Sequence, residues 1–443
     1  MTTPKTFLNY AITITILLLI GGLAGWYYFL NKQKQDIAER DAGRGLGSPP
    51  PSFGGDVGST YSNVSGVEGG AAGKEGKAPP RLWHVTKTPV AGMGFVNTEK
   101  KTAGSSATLS PQLYFAERGT GYILRADTAT SILTRLTNKL FPKTYEALFD
   151  SNGSVILRSV DDAGRITSFA GVSGQGASST PASEKRASDS AEAASSLFGK
   201  YLDSDIRAVA VTPDTRELLL LAPDGSGGSH VVLSSWDGKK QKTIFTSPLS
   251  GWKPFALSDG KVFLSLLPSD NAAGYAFEVK SGVLIPRLRN VSGLGFLPRS
   301  SDAVLFSQSS GGDVSLFSSP KKDSAPILLP LKTVADKCVW APTPLAKGKK
   351  VPVGEQGPLI AYCAVPDYFA TKTFLTDWYT GALHASDTWW RIDTISGEVS
   401  PLLESGDSDE KFDVENPIID DAGEQIAFMD AKDKSLWLLR IQK

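Results

Sequence analysis

The sequence predicts an all-β domain built from one repeated strand–turn–strand unit, and three observations carry that prediction. Apolar runs return about every 42 residues where the chain is uninterrupted, each entered through a turn rich in Ser, Asn, Asp, Pro or Gly. Gly (44) and Pro (27) are frequent among short Val, Ile, Leu and Phe runs, as expected of many turns between short strands. The last unit stops one strand short, while an extended run, Arg81–Thr86, precedes the first, so the two ends complete each other. A four-stranded propeller blade has this repeat length. The prediction is therefore a seven-bladed β-propeller, with six or eight blades remaining open, preceded by one N-terminal transmembrane helix and a disordered linker.

The elements follow in order. Residues 1–6 form a short tail. Phe7–Leu30 is 24 residues without a charge; as a helix it rises about 36 Å, enough for a hydrocarbon core of roughly 30 Å. Trp26, Tyr27 and Tyr28 stand at one end, where amphipathic rings favour the headgroup region. A cleaved signal peptide would have a shorter apolar stretch and a small-x-small site before Trp26, so an uncleaved anchor is expected, with the membrane as a partner. Residues 31–80 follow as a juxtamembrane segment and linker. Within them Gly43–Pro80 holds eleven glycines and five prolines in 38 residues, too little apolar surface to offset the entropy of ordering. Such a tether has an r.m.s. span of roughly 35 Å. Lys32, Lys34, Arg40 and Arg44 lean towards a cytoplasmic C-terminal side. The tether, the two cysteines and a short tail with no domain to leave behind favour an extracytoplasmic one, which is the expectation here.

Residues 81–443 carry the repeat. Its turns fall at Ser110-Pro111, Ser151–Gly153, Pro213-Asp214, Ser258–Gly260, Arg299–Asp302, Gln356–Pro358 and Asp420–Gly423. The runs that follow are Leu113–Ala116, Val155–Leu157, Leu218–Leu221, Val262–Leu267, Ala303–Phe306, Leu359–Ala364 and Gln425–Met429. The turn residues supply the required backbone angles and local side-chain hydrogen bonds. If Arg81–Thr86 pairs with Ser435–Ile441, the ring closes and two open sheet edges disappear.

Thr212-Pro213-Asp214 with Leu218–Leu221, and Leu257-Ser258-Asp259-Gly260-Lys261-Val262-Phe263, resemble the Pro-Asp-Gly-Lys repeat of TolB-like, WD-type bacterial propellers. Most units depart from it, with Asn, Ser or Ala in place of the Pro-Asp pair. The chain also resembles a family of single-pass membrane-anchored propellers of small-genome (candidate phyla radiation) bacteria. Lys337–Trp340, Tyr362–Pro366 and Asp377–Tyr379 carry that likeness. Neither resemblance implies an enzymatic activity.

Charges balance at 46 basic and 46 acidic residues, so no basic field points to nucleic acid. No cofactor loop, metal motif or nucleophile signature occurs, and no enzyme is expected. Cys338 and Cys363, the only cysteines, fall on the first two strands of the sixth unit; a disulfide and two buried thiols are both open there. Pro366–Asp387 interrupts the same unit with Tyr368, Phe369, Phe374, Trp378 and Tyr379. These are the candidate binding residues, on a loop expected to cover one mouth of the ring, as a cap, a ligand contact or both. Asp367, Asp377 and Asp387 read as solvated loop charges, and His84, His230 and His384 as residues of separate units. Val172–Ser196 reads as a Ser/Ala-rich insertion and Thr343–Glu355 as a small lysine patch. The function expected is a tethered scaffold binding a protein or an envelope polymer. A propeller glycoside hydrolase or lyase, and a component of a surface appendage or secretion machine, are the alternatives.

Overall fold

The computed structural model describes residues 78–100, 108–173, 197–203, 205–212, 217–342, 359–369, 371–403 and 410–442. Seven antiparallel four-stranded sheets are present. Blade I is β2 (Val90–Lys100), β3 (Thr108–Glu117), β4 (Ile123–Ala126) and β5 (Leu133–Arg135). Blade II is β6 (Thr144–Phe149), β7 (Ser154–Val160), β8 (Ile166–Ser173) and β9 (Leu197–Tyr201). Blade III is β10 (Ala208–Val211), β11 (Glu217–Pro223), β12 (Ser229–Ser235) and β13 (Gln241–Ser247). Blade IV is β14 (Trp252–Ala256), β15 (Val262–Leu266), β16 (Ala273–Lys280) and β17 (Val283–Ser292). Blade V is β18 (Gly295–Pro298), β19 (Val304–Ser310), β20 (Asp313–Ser319) and β21 (Ile327–Leu328). Blade VI is β22 (Cys338–Trp340), β23 (Ile360–Pro366), β24 (Asp387–Asp393) and β25 (Val399–Pro401). Blade VII is β26 (Val414–Ile419), β27 (Gln425–Asp430), β28 (Leu436–Arg440) and, from the other end of the domain, β1 (Leu82–Thr86).

The closing pair runs antiparallel, with Leu82 opposite Leu439 and His84 opposite Trp437. The His84 and Trp437 rings stack with centroids 4.0 Å apart. Arg81 extends the closure by donating to the carbonyls of Leu402 (2.5 Å) and Arg440 (3.3 Å).

The core is divided among the blade interfaces. In β11, Leu219 and Leu221 face blade IV while Leu218 and Leu220 face blade II. Alternate side chains point to opposite sheet faces, and both faces of this strand are covered, which is why the leucine run has no polar interruptions. Comparable clusters fill the other interfaces, from Val90, Leu113 and Leu436 at the closure to Trp389, Phe412 and Phe428 between blades VI and VII. The first strands β2, β6, β10 and β14 approach one another in succession, as do β22 and β26, which places first strands on the inner side of the ring. At Gly92 in β2 the approach is so close that an added Cβ would lie 2.0 Å from the Ala147 carbonyl oxygen.

Asp side chains order several turns. The Asp150 Oδ1 accepts from the backbone N–H of Asn152 (2.9 Å) and Ser154 (2.7 Å), and Asp420 Oδ1 from Glu424 (2.8 Å) and Gln425 (2.9 Å). The local bond replaces ladder partners that the turn lacks.

Phe7–Leu30, the tether to residue 77, the Pro213-Asp214 and Gln356–Pro358 turns, Thr343–Glu355 and residues 174–196 lie outside the described residues. Among the described residues no helix is long and apolar enough to cross a membrane.

Candidate functional site

In these antiparallel blades, the starts of the first and third strands share a face with the end of the second. We call it the upper face. The segment joining β23 to β24 lies on it and contains one short helix, α1 (Phe374–Tyr379), where a loop is expected. Two threonines precede it, and their hydroxyls donate to Asp377 Oδ2 within the helix: Thr371 at 2.9 Å and Thr373 at 2.8 Å.

The helix is fixed to several blades at once. Thr376 N–H donates to Asp270 Oδ2 of blade IV (2.8 Å). The Tyr379 hydroxyl donates to Asp336 Oδ2 (2.6 Å), which also accepts from Lys253 Nζ of β14 (2.9 Å). Below it, blade V makes room: a Cβ at Gly293 would lie 2.6 Å from Leu375 Cδ1, and one at Gly312 would lie 2.7 Å from Lys372 Cα.

Of the two roles expected for these rings, cap and ligand contact, the packing favours the cap for most of them. Phe374, Trp378 and Tyr379 are buried against Val314, Val334 and Leu375, with Phe369 packed on the same cluster. Phe369 meets Phe374 edge-on at 4.7 Å, and Trp378 meets Tyr379 at 4.8 Å. Of the five, only Tyr368 is exposed, at 70%. The helix leaves one face to solvent and the apolar side chains take the other, so four of these rings act as the cap's own core.

Under α1 lies a buried ion cluster. Lys337 Nζ, at the entry to β22, donates to Asp387 Oδ2, to Asp413 Oδ1 (2.7 Å) and to the Val414 carbonyl (3.3 Å). All three side chains have zero exposure. Asp413 Oδ1 also accepts from Trp378 Nε1 (2.8 Å), and His384 Nδ1 lies 3.2 Å from Asp413 Oδ2. The ammonium stands 4.8 Å from the Trp378 ring centroid. Asp387 Oδ2 further accepts from Val414 N–H (2.6 Å), while its Oδ1 is buried without a partner. Burial pushes the Asp387 carboxyl above its ordinary range, against the lowering effect of Lys337.

Asp387 is therefore no solvated loop charge, as its sequence context suggests, but the first residue of β24 and a link between blades VI and VII. Asp367 and Asp377 do not join it: Asp377 holds the two threonines, and the Asp367 N–H donates to Ser386 O (2.8 Å). His84 lies in β1, His230 in β12 and His384 in the loop. Among the described residues, no group of three or more His, Cys, Asp or Glu is arranged to hold a metal ion.

Cys338 and Cys363 sit directly opposite each other on β22 and β23, and their sulfurs are bonded, with Cα atoms 4.0 Å apart. The bond lies one residue from Lys337. Lys337 and Asp413 had no site assignment from sequence. Neither is marked in its own segment: Lys337 adjoins Asp336, and Asp413 stands close to Lys411 and Glu415. A charge is buried only if paired, and the pairing here is between segments far apart in sequence.

On the other side of the upper face, two inner-strand glutamates have cationic partners. Glu146 of β6 accepts from the fully buried Arg158. Glu415 of β26 accepts through both oxygens from Lys434 Nζ, at 2.7 and 2.8 Å. Arg158 also donates to the carbonyls of Ile206 (2.5 Å) and Arg207 (3.0 Å), tying blade II to blade III. Its guanidinium lies 5.5 Å from the ring of Tyr145, whose hydroxyl is pushed well above its usual range by burial.

No family model matches the sequence, and no curated protein matches it. Solved structures share the β-propeller architecture. YCF48 bound to D1 peptide has a TM-score of 0.48 at 8% identity, covering 83% of this chain and 100% of that one. The β-propeller domain of the Trilobed protease from Pyrococcus furiosus has a TM-score of 0.43 at 9% identity, covering 79% and 98%. An oligogalacturonate lyase in complex with manganese has a TM-score of 0.43 at 9% identity, covering 83% and 99%.

Proposed function

We propose that this chain is a membrane-tethered, extracytoplasmic β-propeller that binds and assembles a protein partner at the cell envelope, without catalysis. The single observation that carries the reading is the pinned loop of blade VI. Its helix is bonded to Asp270 and Asp336 and rests on the Lys337 cluster, so the upper face presents fixed rather than adaptable chemistry. Preorganised loops on a rigid scaffold lower the ordering cost of binding. The uncharged Phe7–Leu30 run supplies an anchor and Gly43–Pro80 supplies reach. The Cys338–Cys363 bond fits an oxidising compartment, which supports the extracytoplasmic placement.

Tyr368 is the loop ring available to a partner. Cross-linking on intact cells, followed by purification of the full chain and mass spectrometry, should capture one envelope protein. Tyr368→Ala should reduce that capture several-fold without moving the melting temperature. Failure of the wild type to capture any envelope protein would remove the reading. In the same cells, external protease should cleave the propeller's loops; full protection of residues 81–443 would contradict the orientation.

A further inference from the structure

On the upper face, the Arg118 guanidinium has no counterpart among the described residues. Arg118 directly follows β3, and its backbone N–H donates to Pro89 O (2.8 Å), which fixes it beside the start of the inner strand β2. The side chain is half-buried. Among the described residues, none of its guanidinium N–H groups has an acceptor. The negative charges that act on it, Glu415 and Glu146, belong to the flanking blades VII and II, and each already accepts from another cation. Burial accordingly lowers the basicity of Arg118, since those carboxylates do not offset its lost hydration.

Charge counting gives the class of ligand. Among the described residues, the group formed by Arg118, Arg158 and Lys434 with Glu146 and Glu415 carries one positive charge, three minus two. A planar guanidinium with five donors matches a carboxylate in two parallel hydrogen bonds. A dianionic phosphate would place a second negative charge beside both glutamates. Glu415 is nearly buried, at 3% exposure, so its repulsion would be poorly screened by water.

We propose that Arg118 is the anchor of a binding site for a single peptide carboxylate at the mouth formed by blades VII, I and II. The inference rests on the protein-binding reading above and names the group that the partner presents. The ligand carboxylate takes the position that a structural Asp or Glu would occupy in a closed ion pair.

The test uses the full chain labelled with 15N-arginine and follows the Arg118 side-chain N–H resonance, identified by its loss in Arg118→Gln. The probes are acetyl-tetra-alanine with a free carboxylate, its C-terminal amide, and inorganic phosphate, all at one ionic strength. The free acid should produce a saturable shift, and the amide and phosphate should not. Measured by isothermal titration calorimetry, since the variants lack the reporter resonance, Arg118→Gln should weaken binding of the acid at least tenfold, and Arg118→Lys, which keeps charge but loses the fork, should fall between. Both variants should melt like the wild type, because the guanidinium has no acceptor to lose. An equal response to the amide, an equal response to phosphate, or unchanged binding by Arg118→Gln overturns the proposal. An acid-dependent shift with no envelope protein captured in cells would sink the broader reading and leave this site standing. Capture that persists in Arg118→Gln, with no shift by the acid, would do the reverse.

Discussion

Lys337→Met tests whether the ion cluster under α1 holds blades VI and VII together. The substitution keeps the length and apolar stem of the side chain and removes its ammonium. Asp387 and Asp413 then face each other with no cation between them, both at zero exposure. Breaking a buried ion pair by removing one partner costs about 3–5 kcal/mol, because a charge is left unpaired. Unfolding entropy of about 2.1 cal/mol/K per residue, over about 360 residues, gives roughly 0.75 kcal/mol/K. The melting temperature should therefore fall by about 4–7 °C at pH 7. The assay is thermal unfolding of the full chain followed by tryptophan fluorescence. Trp378 reports locally, since its Nε1 donates to Asp413. A triple variant, Lys337→Met with Asp387→Asn and Asp413→Asn, should recover much of the loss, because no charge is then buried. Burial already holds the Asp387 carboxyl above its ordinary range, so the deficit of Lys337→Met should also shrink as pH falls. A melting point within 1 °C of wild type, or a triple variant worse than the single one, would refute the reasoning.

Two further outcomes follow from the ring closure and the hub. His84 stacks on Trp437, its Nε2 is buried without a partner, and burial holds its basicity below the ordinary value of 6.5. Unfolding lets it take up a proton, so its contribution is fully present above pH 6.5 and is lost as pH falls from 6.5 to the folded value. Wild type should lose more stability than His84→Phe between pH 7.5 and 5.5 in urea titrations, and equal losses would exclude His84 as the cause. At the hub, Gly92→Ala forces a Cβ to 2.0 Å from the Ala147 carbonyl oxygen, whereas Gly164→Ala meets nothing within 4 Å and only strains a φ of +76°. Gly92→Ala should cost about 3 kcal/mol or more and Gly164→Ala about 1 kcal/mol, and the reverse order in denaturant midpoints would contradict the close packing.

The ring was legible because its signal is local and repeated. Leu218–Leu221 is an uninterrupted apolar run because both sheet faces are covered, and Ser258-Asp259-Gly260 turns the chain whatever it later packs against. Such units favoured seven blades while leaving six or eight open, and the seven four-stranded sheets fix the count. Other elements were not legible. The edge strand Leu197–Tyr201 is mostly exposed, so no apolar alternation marks it. The helix Phe374–Tyr379 has aromatic spacing that also suits a loop gathering exposed rings. What turns those rings inward is the shape of blade V at Gly293 and Gly312, which lies more than sixty residues away in sequence for either end of the helix. The Lys337–Asp387–Asp413 cluster is the same case. Each charge looks ordinary in its own segment, and only blade closure brings the three to one point.

A symmetric ring would offer equivalent approaches to its axis, so function requires something that breaks the symmetry. Here the insertion in blade VI does so. Its helix reaches from blade VI across blade V to Asp270 of blade IV and seals that side with buried aromatics and paired charges. The side formed by blades VII, I and II has no such cap among the described residues. There, Lys434 and Glu146 keep 25% and 18% of their side chains exposed, and Arg118 stays half-buried without an acceptor. The two halves differ in their electrostatic completeness: beneath α1 Lys337 is satisfied by two carboxylates and a carbonyl, while in the opposite half Arg118 has no acceptor among the described residues. A partner approaching from above therefore meets a closed, rigid half and a half that still attracts one negative charge. That difference sets the orientation in which it would dock, and it locates specificity at Arg118 with Tyr368 as a contact on the rim of the cap.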